Sequence, residues 1–248
     1  MKIYFFTKQK ILWAGIALLL VAGFIAYSLL FWHKDGVPSL GEAIYQGNSG
    51  QKAVAITVNV DWGEEFIPAM LKEFKDHQAK VTFFVTGKWA EKNPELLKQM
   101  KQAGHSIQNH GFKHLHFNIL ANEQAEDQIK QAEKAIEKIT GEKSRFFAPP
   151  YGEKTQSLVD LAAAIDYQYI MWSIDTIDWQ RPSPQTIVNR VTNKLHNDAI
   201  ILMHPTEPTV QALPDMLKKI EDEGYKMLTI DQIIINKDGK SSNHVKAN

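Results

Sequence analysis

The stretch AVAITVNVDWGEE, residues 53–65, decides how the chain is read. Residues 53–60 are almost continuously apolar, the pattern of a strand buried on both faces of a parallel sheet. The run carries Asn59 and then meets Asp61, Glu64 and Glu65. A core strand that ends this way delivers an amide and carboxylates to one end of a sheet, where parallel α/β proteins collect their chemistry.

Strand and helix signals alternate through the rest of the chain. Strand-like runs are expected at 80–87, 105–111, 145–150, 167–175, 199–205 and 226–231. Amphipathic stretches lie at 66–78, 94–104, 122–141 and 183–196. In the third of these, Ile129, Ala132, Ile136 and Ile139 recur at helical spacing and Gly141 suits the stop. In the fourth, Ser183 is placed to cap and Pro184 to occupy the first helical position. This alternation predicts a parallel sheet covered by helices, and either a closed barrel or a doubly wound open sheet accommodates it.

The bulk composition narrows the function. Lys plus Arg and Asp plus Glu both number 28, so no global basic field recruits nucleic acid. The absence of cysteine excludes disulfides, zinc–thiolate sites and thiol nucleophiles. No glycine-rich turn follows the first strand, which argues against a dinucleotide site.

One segment stands apart. Residues 11–32 carry no charge over 22 residues, long enough to cross a hydrocarbon core of about 30 Å. Lys2, Lys8 and Lys10 precede it, so residues 1–10 are expected inside and the remainder outside a cell membrane crossed once. The segment ends on bulky Leu29, Leu30, Phe31 and Trp32, which favours an uncleaved anchor over a signal peptide. Residues 33–50, rich in Gly, Ser and Pro, read as a linker, 51–236 as the folded domain, and 237–248 as a polar tail.

Several strand ends carry reactive types. His110 and His114 are four residues apart, a spacing that lets two imidazoles share one divalent ion. Asp175, Asp178 and Trp179 follow one expected strand, His204 the next, and Pro149, Pro150 and Tyr151 a third. An Asp–His pair can protonate a leaving group, and a metal held by two histidines and a carboxylate can activate water. His105 and His116 read as surface or supporting residues.

In chain order, TxN at 57–59, HGFKH at 110–114, APPYG at 148–152, DTIDW at 175–179 and LMH at 202–204 resemble the motifs of the NodB-homology polysaccharide deacetylases, carbohydrate esterase family 4. The resemblance spans roughly residues 51–236. It implies a distorted (β/α) barrel, here preceded by the transmembrane helix, that removes N-acetyl groups from peptidoglycan or chitin-like glycans with zinc or another divalent ion such as cobalt or nickel. Carried over by position, His110 and His114 match metal ligands, His204 the general acid and Asp178 its carboxylate partner. Tyr151, Trp179 and Pro150 fall in the sugar pocket.

Two departures bear on activity. The family's base Asp corresponds to Asn59, and an amide cannot accept a proton from water near neutral pH. The Arg that pairs with that base corresponds to Ala148, so both halves of one ion pair are absent together, and neither is left as an unpaired buried charge. Arg145, three residues upstream, falls on the opposite face of its strand. The third ligand is Asp61, Glu64 or Glu65, with Asp61 preferred. The expectation is a monomeric, membrane-anchored, metal-dependent deacetylase of cell-wall glycan with weak activity. The alternative is a catalytically impaired glycan-binding or regulatory module on the same fold.

Overall fold

The computed structural model describes residue 21 and residues 41–235. The expected cytoplasmic segment 1–10, the anchor at 11–32 apart from Val21, and the tail at 237–248 lie outside the described residues. Among the described residues no helix is long and apolar enough to cross a membrane.

Nine strands and eight helices follow one another in this part of the chain. The strands are β1 (Ala43–Ile44), β2 (Ala53–Val60), β3 (Thr82–Val85), β4 (Ser106–Asn109), β5 (Phe146–Phe147), β6 (Gln168–Ile170), β7 (Ile174–Asp175), β8 (Ala199–Met203) and β9 (Lys226–Leu228). The helices are α1 (Ile67–Asp76), α2 (Gly87–Lys92), α3 (Pro94–Gln102), α4 (Asn122–Thr140), α5 (Gln156–Ala164), α6 (Pro184–Thr192), α7 (Glu207–Asp222) and α8 (Ile230–Ile233). Strand order is β1-β6-β5-β4-β3-β2-β8-β7, with β9 also on β2, and the paired strands run parallel.

The sheet curls, and the chain from 168 to 175 joins its two ends. Met171 N donates to Ile44 O at 2.7 Å on one side, and Ser173 N donates to Ile200 O at 3.0 Å on the other. The strand expected over 167–175 is therefore two short strands, because the chain changes partners at Met171–Ser173. The result is a curled, parallel half-barrel. A second difference concerns the stretch 33–50 read as linker: Ala43–Ile44 pair with β6, and Gln46 bridges Ala199. An edge strand of two residues has no period for a sequence pattern to reveal.

β2 is central, and all eight of its residues are buried. Its side chains alternate between two cores, as pleating requires. Val54, Ile56, Val58 and Val60 pack outward with Met70 and Phe74 of α1 and Leu213 and Met216 of α7. Ala53 and Ala55 pack inward with Phe84, Phe146, Ala148, Ile170 and Ile200, where small side chains suit the crowded axis. A third cluster seats Phe147 and Tyr169 against Ile129 of α4 and Val159 of α5. Ile230 of α8 lies in the inner cluster, and its N–H donates to Thr82 Oγ1 at 3.0 Å, closing the end where the strands begin.

Helix ends follow their local chemistry. Ser183 Oγ accepts from Thr186 N ahead of Pro184, and Gly141 ends α4 with a left-handed φ of 74°. The inward row of β2 continues through Thr57 to Asn59, at the strand's C-terminal end. That alternation brings the polar groups of the opening stretch to the mouth of the barrel.

Candidate active site

Asn59 is 7% exposed, and its Oδ1 has no hydrogen-bond partner. A buried, unpaired carbonyl oxygen costs free energy, so its retention at this place marks the mouth of the barrel as a site. The turn that follows is tight: Gly63 has φ 82°, and a Cβ there would lie 2.3 Å from Pro205 O. Only glycine fits this approach.

The three acids of the turn go separate ways. Asp61 Oδ1 accepts from Thr86 Oγ1 at 2.7 Å. Glu64 pairs with Lys92 at 3.1 Å; a backbone hydrogen bond and the Lys92 ammonium hold its carboxyl below the usual carboxylate range. Glu65 is exposed. Trp62, between Asp61 and Gly63, lies parallel to the His204 ring at 6.3 Å between centroids.

His110 and His114 are brought together, with ring centroids 5.1 Å apart. His110 follows β4 and is buried; its Nδ1–H donates to Ala148 O at 2.7 Å, which leaves Nε2 with a lone pair. Burial, with the neighbouring His114 adding to it, pushes the His110 imidazole down to about 3. Burial also lowers His114, against the attraction of Asp61. Both rings are thus neutral near pH 7, the form a metal ligand needs. Gly111 stands between them with φ 77°, a left-handed position that a side chain rarely adopts.

This donor set is incomplete. Among the described residues no three His, Cys, Asp or Glu side chains group as a metal site. Asp61 lies within electrostatic reach of His114 but is engaged by the Thr86 hydroxyl, and Glu64 is turned to Lys92. The residues present fit two positions of a divalent centre and do not supply the third.

The acid pair is fully assembled. Asp178 is wholly buried, and its Oδ1 accepts from His204 Nδ1–H at 2.8 Å. Its Oδ2 accepts from His204 N at 2.6 Å and from Thr209 Oγ1 at 2.6 Å. Three hydrogen bonds fix the carboxylate, which in turn fixes the imidazole with Nε2 free for proton transfer. His204 lies within electrostatic reach of both His110 and His114, so the dyad and the pair share one site.

Trp179 is 55% exposed on a short turn bounded by Ile177 and Arg181, both left-handed. Arg190 Nη1 donates to Thr176 O at 2.7 Å and so steadies this strained entry. Tyr151 is 58% exposed, also left-handed with φ 59°, and meets the His114 ring at 4.7 Å. Pro150 is buried at the start of the same turn, leaving Tyr151 as its outward group. Ala148 contributes backbone to His110, and its side chain lies in the inner core. Arg145 pairs with Asp231 at 3.1 Å, near the beginning of β5 and away from the mouth.

Of the two other histidines, His105 departs from the surface reading and His116 keeps to it. His105 is buried edge-on to Phe74 and Phe83 at the start of β4, and its Nδ1 accepts from Val81 N. His116 stacks on Tyr151 and donates to Glu153. Trp62, Thr86, Thr209 and Glu153 join the site unannounced by sequence reasoning. A hydroxyl at the third position of the helix after LMHPT, and an aromatic inside the first motif, were the available signals.

The polysaccharide deacetylase family model matches residues 46–170. An uncharacterised Bacillus subtilis protein, YlxY, is 39% identical over 193 residues, 78% of this chain; the chain spans 60% of that relative's length. A peptidoglycan-N-acetylglucosamine deacetylase of Bacillus cereus is 30% identical over 75% of this chain and 70% of its own. Among solved structures, a carbohydrate esterase family 4 pseudoenzyme from Bacillus anthracis aligns with TM-score 0.75 and 38% identity, over 81% of this chain and 70% of that one. A mutant of that pseudoenzyme with restored enzymatic activity aligns at TM-score 0.75 and 36% identity, over 81% and 72%.

Proposed function

Because the chain belongs to the polysaccharide deacetylase family, we propose that it is an impaired deacetylase that binds N-acetylated cell-wall glycan of the peptidoglycan type. In this reading residues 11–32 anchor a monomer in the cell membrane and hold the domain on the outer face. The uncharged run and the lysines before it support that placement.

One observation carries the reading: the side-chain oxygen of Asn59 is buried, unpartnered, and belongs to an amide. A carboxylate there would take a proton from water as it attacks the acetamide carbonyl. An amide at that position has no such basicity, so the hydrolytic step is slow or absent. The inner-face Ala148 removes the cation that would hold a carboxylate ionised. The incomplete metal set points the same way. What remains is the exposed Tyr151 and Trp179, the positions that match the family's sugar pocket, and a dyad in which His204 Nε2 can donate a proton to a leaving amine.

That dyad supports a second reading, slow deacetylation through a relocated base. An inert module has no need of a buried aspartate held by three hydrogen bonds. The deciding experiment uses the full chain in detergent with chito-oligosaccharide and peptidoglycan, measuring both binding and acetate release beside Asn59→Asp. The expected result is glycan binding by both proteins, with acetate released at least about tenfold faster by the variant. Equal acetate release by the parent, abolished by His204→Ala, establishes the second reading instead. Absence of glycan binding overturns both.

A further inference from the structure

The site does not end at Tyr151. His114 meets the Tyr151 ring edge-on at 4.7 Å, and Tyr151 then stacks on His116 with centroids 3.8 Å apart and planes 11° from parallel. This outward ladder of rings is held at both ends of its last step. Tyr151 keeps a left-handed φ of 59°, which an L side chain adopts only where its surroundings impose it. His116 Nδ1–H donates to Glu153 Oε1 at 2.7 Å, and Glu153 Oε2 accepts from Asn118 N at 3.0 Å. The Glu153 carbonyl is in turn held by the Tyr169 hydroxyl at 2.5 Å.

Glu153 therefore sets the plane of the imidazole, and Tyr151 covers only its inner face. The His116 side chain remains 54% exposed, so its other face is presented to solvent. Among the described residues, Leu115 and Ile119 of the His116 loop and the stacked Tyr151 are exposed large apolar side chains. A flat ring, oriented by Glu153 and left open beside Tyr151, suits the C–H face of a pyranose, which is apolar and itself nearly flat.

We propose that His116, positioned by Glu153, is the platform of a second sugar subsite, one ring beyond Tyr151, taking the next residue of the bound glycan. This rests on the glycan reading above and extends it from a single N-acetyl sugar to an oligosaccharide. The subsite recognises ring shape rather than the acetyl group, so it governs the chain length bound and takes no part in proton transfer.

Calorimetric titration of the full chain in detergent with chitobiose and with chitopentaose tests it. His116→Asn keeps a donor for Glu153 but removes the ring; His116→Phe keeps the ring without the donor. Loss of the ring is expected to weaken pentamer binding about three- to tenfold, leave the dimer unchanged, and leave the phenylalanine variant close to the parent. His116 lies on the surface, and unchanged thermal midpoints confirm that both variants fold. Pentamer affinity unaffected by His116→Asn, or dimer and pentamer weakened alike, overturns the subsite and leaves the glycan reading standing. A parent that binds neither sugar removes the glycan reading and the subsite with it.

Discussion

If the barrel mouth has lost both halves of one ion pair, restoring either half alone destabilises the fold, and restoring both costs less stability than the sum of the two. Asn59 is 7% exposed and Ala148 4%, and period-two alternation puts both on the inner face. Asn59→Asp places a carboxylate where no cation faces it. Burial then raises its pKa, so its destabilisation is absent at acid pH and grows as pH rises above the unfolded carboxylate value. At pH 7 a loss of about 2–4 kcal/mol is expected from one unpaired buried charge. Ala148→Arg alone adds volume and an unpaired cation to a packed core, with a loss of similar size. The double variant recovers about 2–3 kcal/mol relative to the sum of the two. Urea unfolding of parent, singles and double at pH 7 gives the coupling, and acetate release from chito-oligosaccharide gives the function. The double variant is also expected to be the most active of the four. If the two losses add to within about 0.5 kcal/mol, the positions do not face one another and the joint-loss argument fails.

Three further outcomes follow from the same geometry. In the Asn59→Asp background, Asp178→Asn and His204→Ala should each lower acetate release by about 10²–10⁴ without weakening glycan binding; an unaffected rate removes His204 from the mechanism. Gly63→Ala places a Cβ 2.3 Å from Pro205 O at φ 82°, and a loss of about 2 kcal/mol or more, seen as a lower thermal midpoint, is expected; an unchanged midpoint refutes the close approach. Burial, with Lys80 adding to it, holds His105 down to about 4 against an ordinary 6.5. The unfolded chain therefore binds a proton that the folded chain refuses between those values. The His105 contribution is complete above pH 6.5 and declines by about 3 kcal/mol as pH falls to 4. His105→Phe should flatten that limb of the stability profile, and a profile of unchanged slope shows that another group governs it.

β2 was legible to its ends because residues 53–60 are apolar on both faces, the pattern of a strand buried on both faces of a sheet. The α6 start was legible because Ser183 and Pro184 act within one turn. The edge strand at 43–44 was not, since its only support is a ladder to residues 169–170, far along the chain. The break at Met171–Ser173 was hidden for a similar reason: the run stays apolar while its hydrogen-bond partners change from Ile44 to Ile200. His105 was read as a surface or supporting residue, but it is buried at the start of β4 between two phenylalanines that come from α1 and β3.

By itself the sequence determined that a parallel α/β domain ends its strands on Asn59, His110, Tyr151, Asp178 and His204, and the family resemblance implied that neither a carboxylate nor a guanidinium stands at the base position and its partner. Those are matters of residue type and alternation, which act over a few positions. Only the tertiary structure decided where the acids point. Thr86 from the loop after β3 holds Asp61, Lys92 at the end of α2 draws Glu64 away, and Thr209 completes the cage around Asp178. Each hydrogen bond joins elements 25 or more residues apart, so its geometry exists only once the half-barrel has formed around it.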